Sequence, residues 1–199
     1  MENEFIYNTD VVNDLPNDSH LKFEPYSLVA QDDPILTTKL ENFNFGDPTL
    51  DSIEIASRLV ETAKFHNVFG VAANQFGLEY NVFVAGNQDE YVAFYNPVII
   101  SYSSTCVILP ETDISNMGLQ LHVKRPQDIV LQYQDYNGET KLTQFSGLTS
   151  RIIQQNVDRL AGIDFKTRVS KFNLERQQKA LDKKIKRYVR NCMRLENEK

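Results

Sequence analysis

The stretch Ile152-Ile153-Gln154-Gln155-Asn156-Val157-Asp158-Arg159-Leu160-Ala161-Gly162 decides how the chain is read. On a helix, Gln155 and Arg159 stand four positions apart on one face. That is the spacing at which an H-E-x-x-H helix presents two zinc-binding imidazoles, with a glutamate base beside the first. Here the triplet is Gln155, Asn156 and Arg159, and none of the three does the work of His, Glu and His at neutral pH. Arginine stays protonated and has no lone pair to give, and an asparagine amide takes no proton from water. The missing base is a separate loss, because general-base catalysis contributes roughly 100- to 10,000-fold.

Three further segments lie upstream of this helix. They are Gly70-Val71-Ala72-Ala73-Asn74-Gln75-Phe76-Gly77, Tyr95-Asn96-Pro97-Val98-Ile99, and Glu111-Thr112-Asp113-Ile114-Ser115 running on to Gly118 and Val123-Lys124-Arg125-Pro126. In this order and at these intervals, from about residue 33 to residue 170, the chain resembles the peptide deformylases, enzymes that remove the formyl group from nascent protein N-termini. The resemblance places the family's metal-binding Cys on Asp113, its two His on Gln155 and Arg159, and its catalytic Glu on Asn156. It keeps Gln75, whose counterpart donates to the reacting carbonyl, Ile114, whose counterpart lends a backbone N–H there, and Gly70, Gly77, Gly118 and Gly162. Val68 and Thr112 stand where the family has glycines, a change expected to stiffen or crowd the cleft.

From these residues the sequence predicts a vestigial cleft of Gly70, Gln75, Asp113, Ile114, Gln155, Asn156 and Arg159, with no catalytic residue, no metal ligand and no cofactor. Arg159 either replaces the metal's charge and pairs with Asp113, or both side chains turn into water. A hard-cation site of Asp113, Asp158 and carbonyl oxygens is an alternative. Asp158 is otherwise read as a structural ion pair with Arg151 or Arg159. His20, His66 and His122 show no ligand spacing and are read as surface or structural, and Ser115 has no His–Asp partnership near it.

The 199 residues, 41% hydrophobic, suffice for one globular body with extras. Cys106 and Cys192 are far apart and are read as reduced core or interface residues. No apolar stretch reads as a secretory signal or a membrane span, so an intracellular location is expected. Residues 1–26 are polar and form an extension, 27–170 the deformylase-like domain, and 171–199 a basic helix. A helix is expected over 51–65, with Asp47, Pro48, Thr49 and Asp51 as start signals, and another over 147–160. Strands are expected at 82–84, 91–94, 98–100, 119–123 and 129–133, with Asn137-Gly138 turning the chain before 140–145. The fold class is α+β, antiparallel sheets around a central signature helix, plus a C-terminal helix.

Residues 171–199 hold ten Lys or Arg against four acids, whereas 1–170 hold eleven against twenty-three. The apolar positions Leu174, Leu181, Ile185, Tyr188, Cys192 and Leu195 form a heptad seam that packs on the chain's own body, on a partner protein or second copy, or serves ribosome contact. Specific DNA binding is not expected, since the body is acidic and has no groove-reading motif. The combined expectation is a pseudoenzyme, a catalytically inactive structural or assembly component such as part of a phage particle's tail or baseplate, located in the virion if phage-encoded. Its arm and tail would hold protein partners. The alternatives are a binder of formyl-methionyl or other peptide N-termini that competes with true deformylase at the ribosome, and a hydrolase with an unorthodox site.

Overall fold

Alternate residues of Val82-Phe83-Val84-Ala85 face opposite ways, and both sets are buried. A strand with this pattern must be covered on both sides. In the computed structural model, which describes residues 23–87 and 90–197, that cover is a helix on each face. Helix α1 (Ser52–His66) packs Ile55, Leu59, Val60 and Ala63 against Val82, Val84, Ala93 and Tyr95. Helix α2 (Gly147–Leu160) packs Ile152, Ile153 and Leu160 against Phe83, Ala85, Phe94, Ile129 and Leu131 on the other side.

The sheet between them is antiparallel and five-stranded, in the order β1 (Gly70–Ala72), β2 (Val82–Gly86), β3 (Tyr91–Tyr102), β6 (Asp128–Gln134), β7 (Thr140–Ser146). A second sheet pairs β4 (Cys106–Glu111) with β5 (Leu121–Pro126). The class is therefore α+β, as expected. Asp51 caps α1 by accepting from the Glu54 N–H, and Asn67 ends it in the left-handed region at φ 52°. The chain leaves α2 through Gly162, at φ 72°, where an added Cβ would stand 2.5 Å from the Thr37 carbonyl oxygen. Only glycine fits that turn.

Strand β4 was absent from the sequence reading, for a physical reason. Its Cys106, Ile108, Leu109 and Pro110 are exposed and only Glu111 is buried, so no inward alternation marks it. Cys106 is thus a surface residue rather than a core one, while Cys192 is half-buried. His66 lies against the Phe76 ring, and His122 is exposed on β5. Of the expected polar extension, residues 1–22, including His20, lie outside the described residues. Where that segment meets the body, the Tyr26 N–H donates to Thr62 Oγ1 at 2.9 Å and the Arg58 guanidinium lies 4.1 Å from the Tyr26 ring centre.

The last helix, α3 (Lys171–Asn197), uses its seam unevenly. Leu174 and Leu181 close a small third core of Leu119, Leu121, Val123 and Phe165 beneath β5. Further along, Ile185, Tyr188 and Leu195 are exposed. The half-buried Leu181 and the exposed Leu195 should therefore part company on truncation. Leu181→Ala is expected to lower unfolding stability by about 1–2 kcal/mol, below the range for a fully buried leucine. Leu195→Ala should stay within about 0.5 kcal/mol; urea denaturation of the two variants checks both values.

Candidate functional site

A cleft of about 330 Å³ opens between the chain entering β1, the end of β4 with the turn after it, and the face of α2 that carries Arg151, Gln155 and Arg159. All seven residues of the expected cleft line it: Gly70, Gln75, Asp113, Ile114, Gln155, Asn156 and Arg159. Val68 and Thr112 line it as well. Gly70 is needed for room, because a Cβ there would stand 2.8 Å from Asn156 Nδ2 and 3.0 Å from the Val84 carbonyl oxygen.

Gln75 is fixed at both ends of its amide. Its Oε1 accepts from the Ala72 N–H at 2.8 Å, and its Nε2 donates to Ser115 Oγ at 3.2 Å and to Asp113 Oδ1 at 3.3 Å. Asp113 caps the short turn Ile114–Asn116 by accepting from the Ser115 N–H at 2.7 Å. Its other oxygen, Oδ2, accepts from Arg159 Nη2. Both side chains of this ion pair are almost wholly out of water, at 3% and 4% exposure. Of the two sequence alternatives for Arg159, pairing rather than solvation is the one the structure adopts. The backbone of Arg159 is held too, since Asn74 Nδ2 donates to its carbonyl at 2.7 Å. Gln155 donates to the Thr112 carbonyl at 2.8 Å and Asn156 to the Ile152 carbonyl at 2.9 Å, so each amide spends one N–H on backbone.

Asp158 is an ion-pair residue, but with other partners than those expected. Arg125 Nη1 donates to its Oδ2 at 2.7 Å, and Arg168 clamps both of its oxygens. Arg125 also forks onto Glu111, at 2.6 and 3.0 Å. Arg151 joins the same carboxylate and donates to the carbonyls of Val123 and Val107 at 3.0 and 2.6 Å. Burial works against the charge of Arg125, yet the carboxylates of Glu111 and Asp158 leave its pKa above the usual arginine value. For Arg151 burial prevails and the pKa is lowered. The sequence reading missed this cluster, although alternation in β5 gave one signal: Leu121, Val123 and Arg125 share the buried face.

A metal ion of the kind the resemblance implies does not fit these residues. Such a site needs three donors of adequate strength and an open position for water. Arg159 offers none and repels a cation, Asp113 is already bonded through both oxygens, and Gln155 has only an amide oxygen left. The oxygen-rich alternative fails likewise, because both oxygens of Asp158 are taken by arginines.

Comparison with known proteins places this cleft in a family. The family model for polypeptide deformylase matches residues 25–175. The chain belongs to the peptide deformylase family. The peptide deformylase of Dictyoglomus thermophilum is 34% identical over 147 residues, which cover 74% of this chain and 94% of that protein. A peptide deformylase-like protein of Rhizobium meliloti is 30% identical over 152 residues, covering 75% and 87%. Among solved structures, the Thermotoga maritima peptide deformylase has a TM-score of 0.70 at 25% identity, covering 74% of this chain and 99% of that one. The Synechococcus elongatus deformylase in complex with actinonin has 0.72 at 25%, covering 81% and 88%.

These relatives correct the expectation of an inactive structural protein. They carry the names of enzymes or of an enzyme-like protein, and none of them points to a phage particle, a virion, a tail or a baseplate. The four positions that the resemblance matches to the family's metal ligands and base do not determine the whole function. Asp113, Gln155 and Arg159 do not suit a metal ion, while the cleft holds a clamped glutamine and a capped turn. The reading those relatives support is a deformylase-like enzyme.

Breaking the central ion pair is expected to be costly to the fold. Arg159→Ala and Asp113→Ala should each lose about 3–5 kcal/mol, since each strands a buried charge. Replacing both together, Arg159→Met with Asp113→Leu, should lose clearly less than the two single losses added. Denaturant melts of the three variants measure this.

Proposed function

We propose that this protein is a peptide-deformylase-like enzyme that takes the N-terminal end of a formylated peptide in the cleft beside α2. The observation that carries the reading is the retained binding half of a deformylase cleft, with Gln75 locked by the Ala72 N–H and its Nε2 turned to the Asp113 turn. The names of the relatives support the same substrate class. The reaction is hydrolysis: the water oxygen bonds to the formyl carbon, the C–N bond breaks, and formate and a free amine leave.

Within that reading each cleft residue has a bounded task. Gln75 can exchange one of its two N–H bonds, to Ser115 or Asp113, for one to the acyl oxygen, Asn156 can orient a water but cannot take its proton, and Val68, Phe69 and Leu148 give the cleft apolar wall for a side chain. The distal, basic half of α3 is assigned to contact with an acidic partner, on the strength of its charge and its exposed Ile185 and Tyr188. No helix among the described residues is long and apolar enough to cross a membrane. We place the protein in the cell interior, which the free thiols of Cys106 and Cys192 support.

The test is formate release from a formyl-methionyl peptide by the purified protein. Release above the buffer rate is expected, slower than in a relative that has a carboxylate base at the position of Asn156 by at least the roughly 100- to 10,000-fold that a general base contributes. Gln75→Ala should abolish it. No release above buffer at any peptide concentration would sink the reading.

A further inference from the structure

We infer that the centre of this cleft works without a metal ion, and that the Arg159 guanidinium is the cation that meets the acyl oxygen of a bound peptide. The inference rests on the deformylase-like reading above and adds the identity of the binding group. Its ground is how the donors and acceptors around Arg159 are spent.

Both oxygens of Asp113 are engaged: Oδ1 accepts from the Ser115 N–H and from Gln75, and Oδ2 from Arg159. A divalent cation could take that carboxylate only by displacing a buried guanidinium, which would then repel it. Among the described residues, no group of three His, Cys, Asp or Glu side chains could hold a metal ion. The positive charge at the centre is therefore the protein's own.

That charge is also unfinished. Arg159 lines the cleft and is 2% exposed; its buried Nη1 is ion-paired with Asp164 Oδ2 at 3.7 Å but makes no hydrogen bond. A buried cationic donor without a hydrogen bond is costly, and a shift of the guanidinium that brings it onto a bound carbonyl oxygen recovers the cost. The lining charges of Arg151, Arg159, Glu111 and Asp113 balance, so the fitting ligand is a neutral carbonyl rather than a second anion. The formamide oxygen of a formylated peptide has that chemistry.

The experiment is calorimetric titration of the full chain, dialysed against EDTA, with N-formyl-Met-Ala-Ser and with Met-Ala-Ser. It is repeated after loading with iron(II), nickel or zinc, with metal content measured on each sample. The expected result is no retained stoichiometric metal, and formyl-peptide binding equally tight in all samples. Arg159→Lys keeps the charge but loses the fork. It should weaken the formyl peptide about tenfold, the order of one charge-assisted hydrogen bond, and leave Met-Ala-Ser within about twofold. One retained metal per chain, or formyl-peptide binding that requires metal, overturns the inference and leaves the deformylase-like reading standing. Binding of neither peptide under any condition overturns both. The wild-type titrations decide the matter even where Arg159→Lys fails to fold.

Discussion

A largely buried cluster of three guanidiniums and two carboxylates ties the molecule together. Arg125 comes from β5, Glu111 from the end of β4, Arg151 and Asp158 from α2, and Arg168 from the turn that follows α2. Charges out of water are tolerable only when each finds partners in good geometry. Satisfying all five fixes the second sheet against α2 as firmly as apolar packing could. Arg151 adds direction, bonding one backbone carbonyl on β4 and one on β5 with a single planar group. The turn carrying Asp113 begins two residues beyond Glu111, so the cleft takes its shape from this cluster.

Much of the fold was legible because local pattern and burial agree. The helix expected over 147–160 is α2 to the residue, and the strand expected at 82–84 opens β2. The cleft residues could be read from motif order alone, since three segments distant in sequence converge only if the order and the intervals are right. What escaped was the choice of partners. Asp158 has Arg151 and Arg159 near it on its own helix, yet it bonds arginines on β5 and beyond α2, because those reach its oxygens from the sheet side. Strand β4 escaped for the opposite reason: an edge strand with outward-facing side chains carries no burial signal for alternation to reveal.

The central pair shows how substituted sites can mislead. Asp113 and Arg159, at positions that the resemblance matches to a Cys and a His, look one by one like decay. In space the two side chains form one buried ion pair, each answering the other's charge. A pairwise view of the cleft therefore says more about its chemistry than any one lost residue does. For the same reason, loss of ligands does not by itself decide whether the cleft is active.

The last helix gives the chain two opposite responses to salt. Between residues 183 and 194, α3 carries six Lys or Arg and no acid, with like charges repeatedly three or four positions apart on an exposed surface. Such pairs oppose helix formation, and added electrolyte screens them within about 8–10 Å. The arginines that bind Glu111 and Asp113 lie out of reach of counterions and gain nothing. Raising ionic strength should thus firm the far end of the helix while leaving the heart of the molecule unmoved, so that α3 registers the ionic surroundings to which the interior is indifferent.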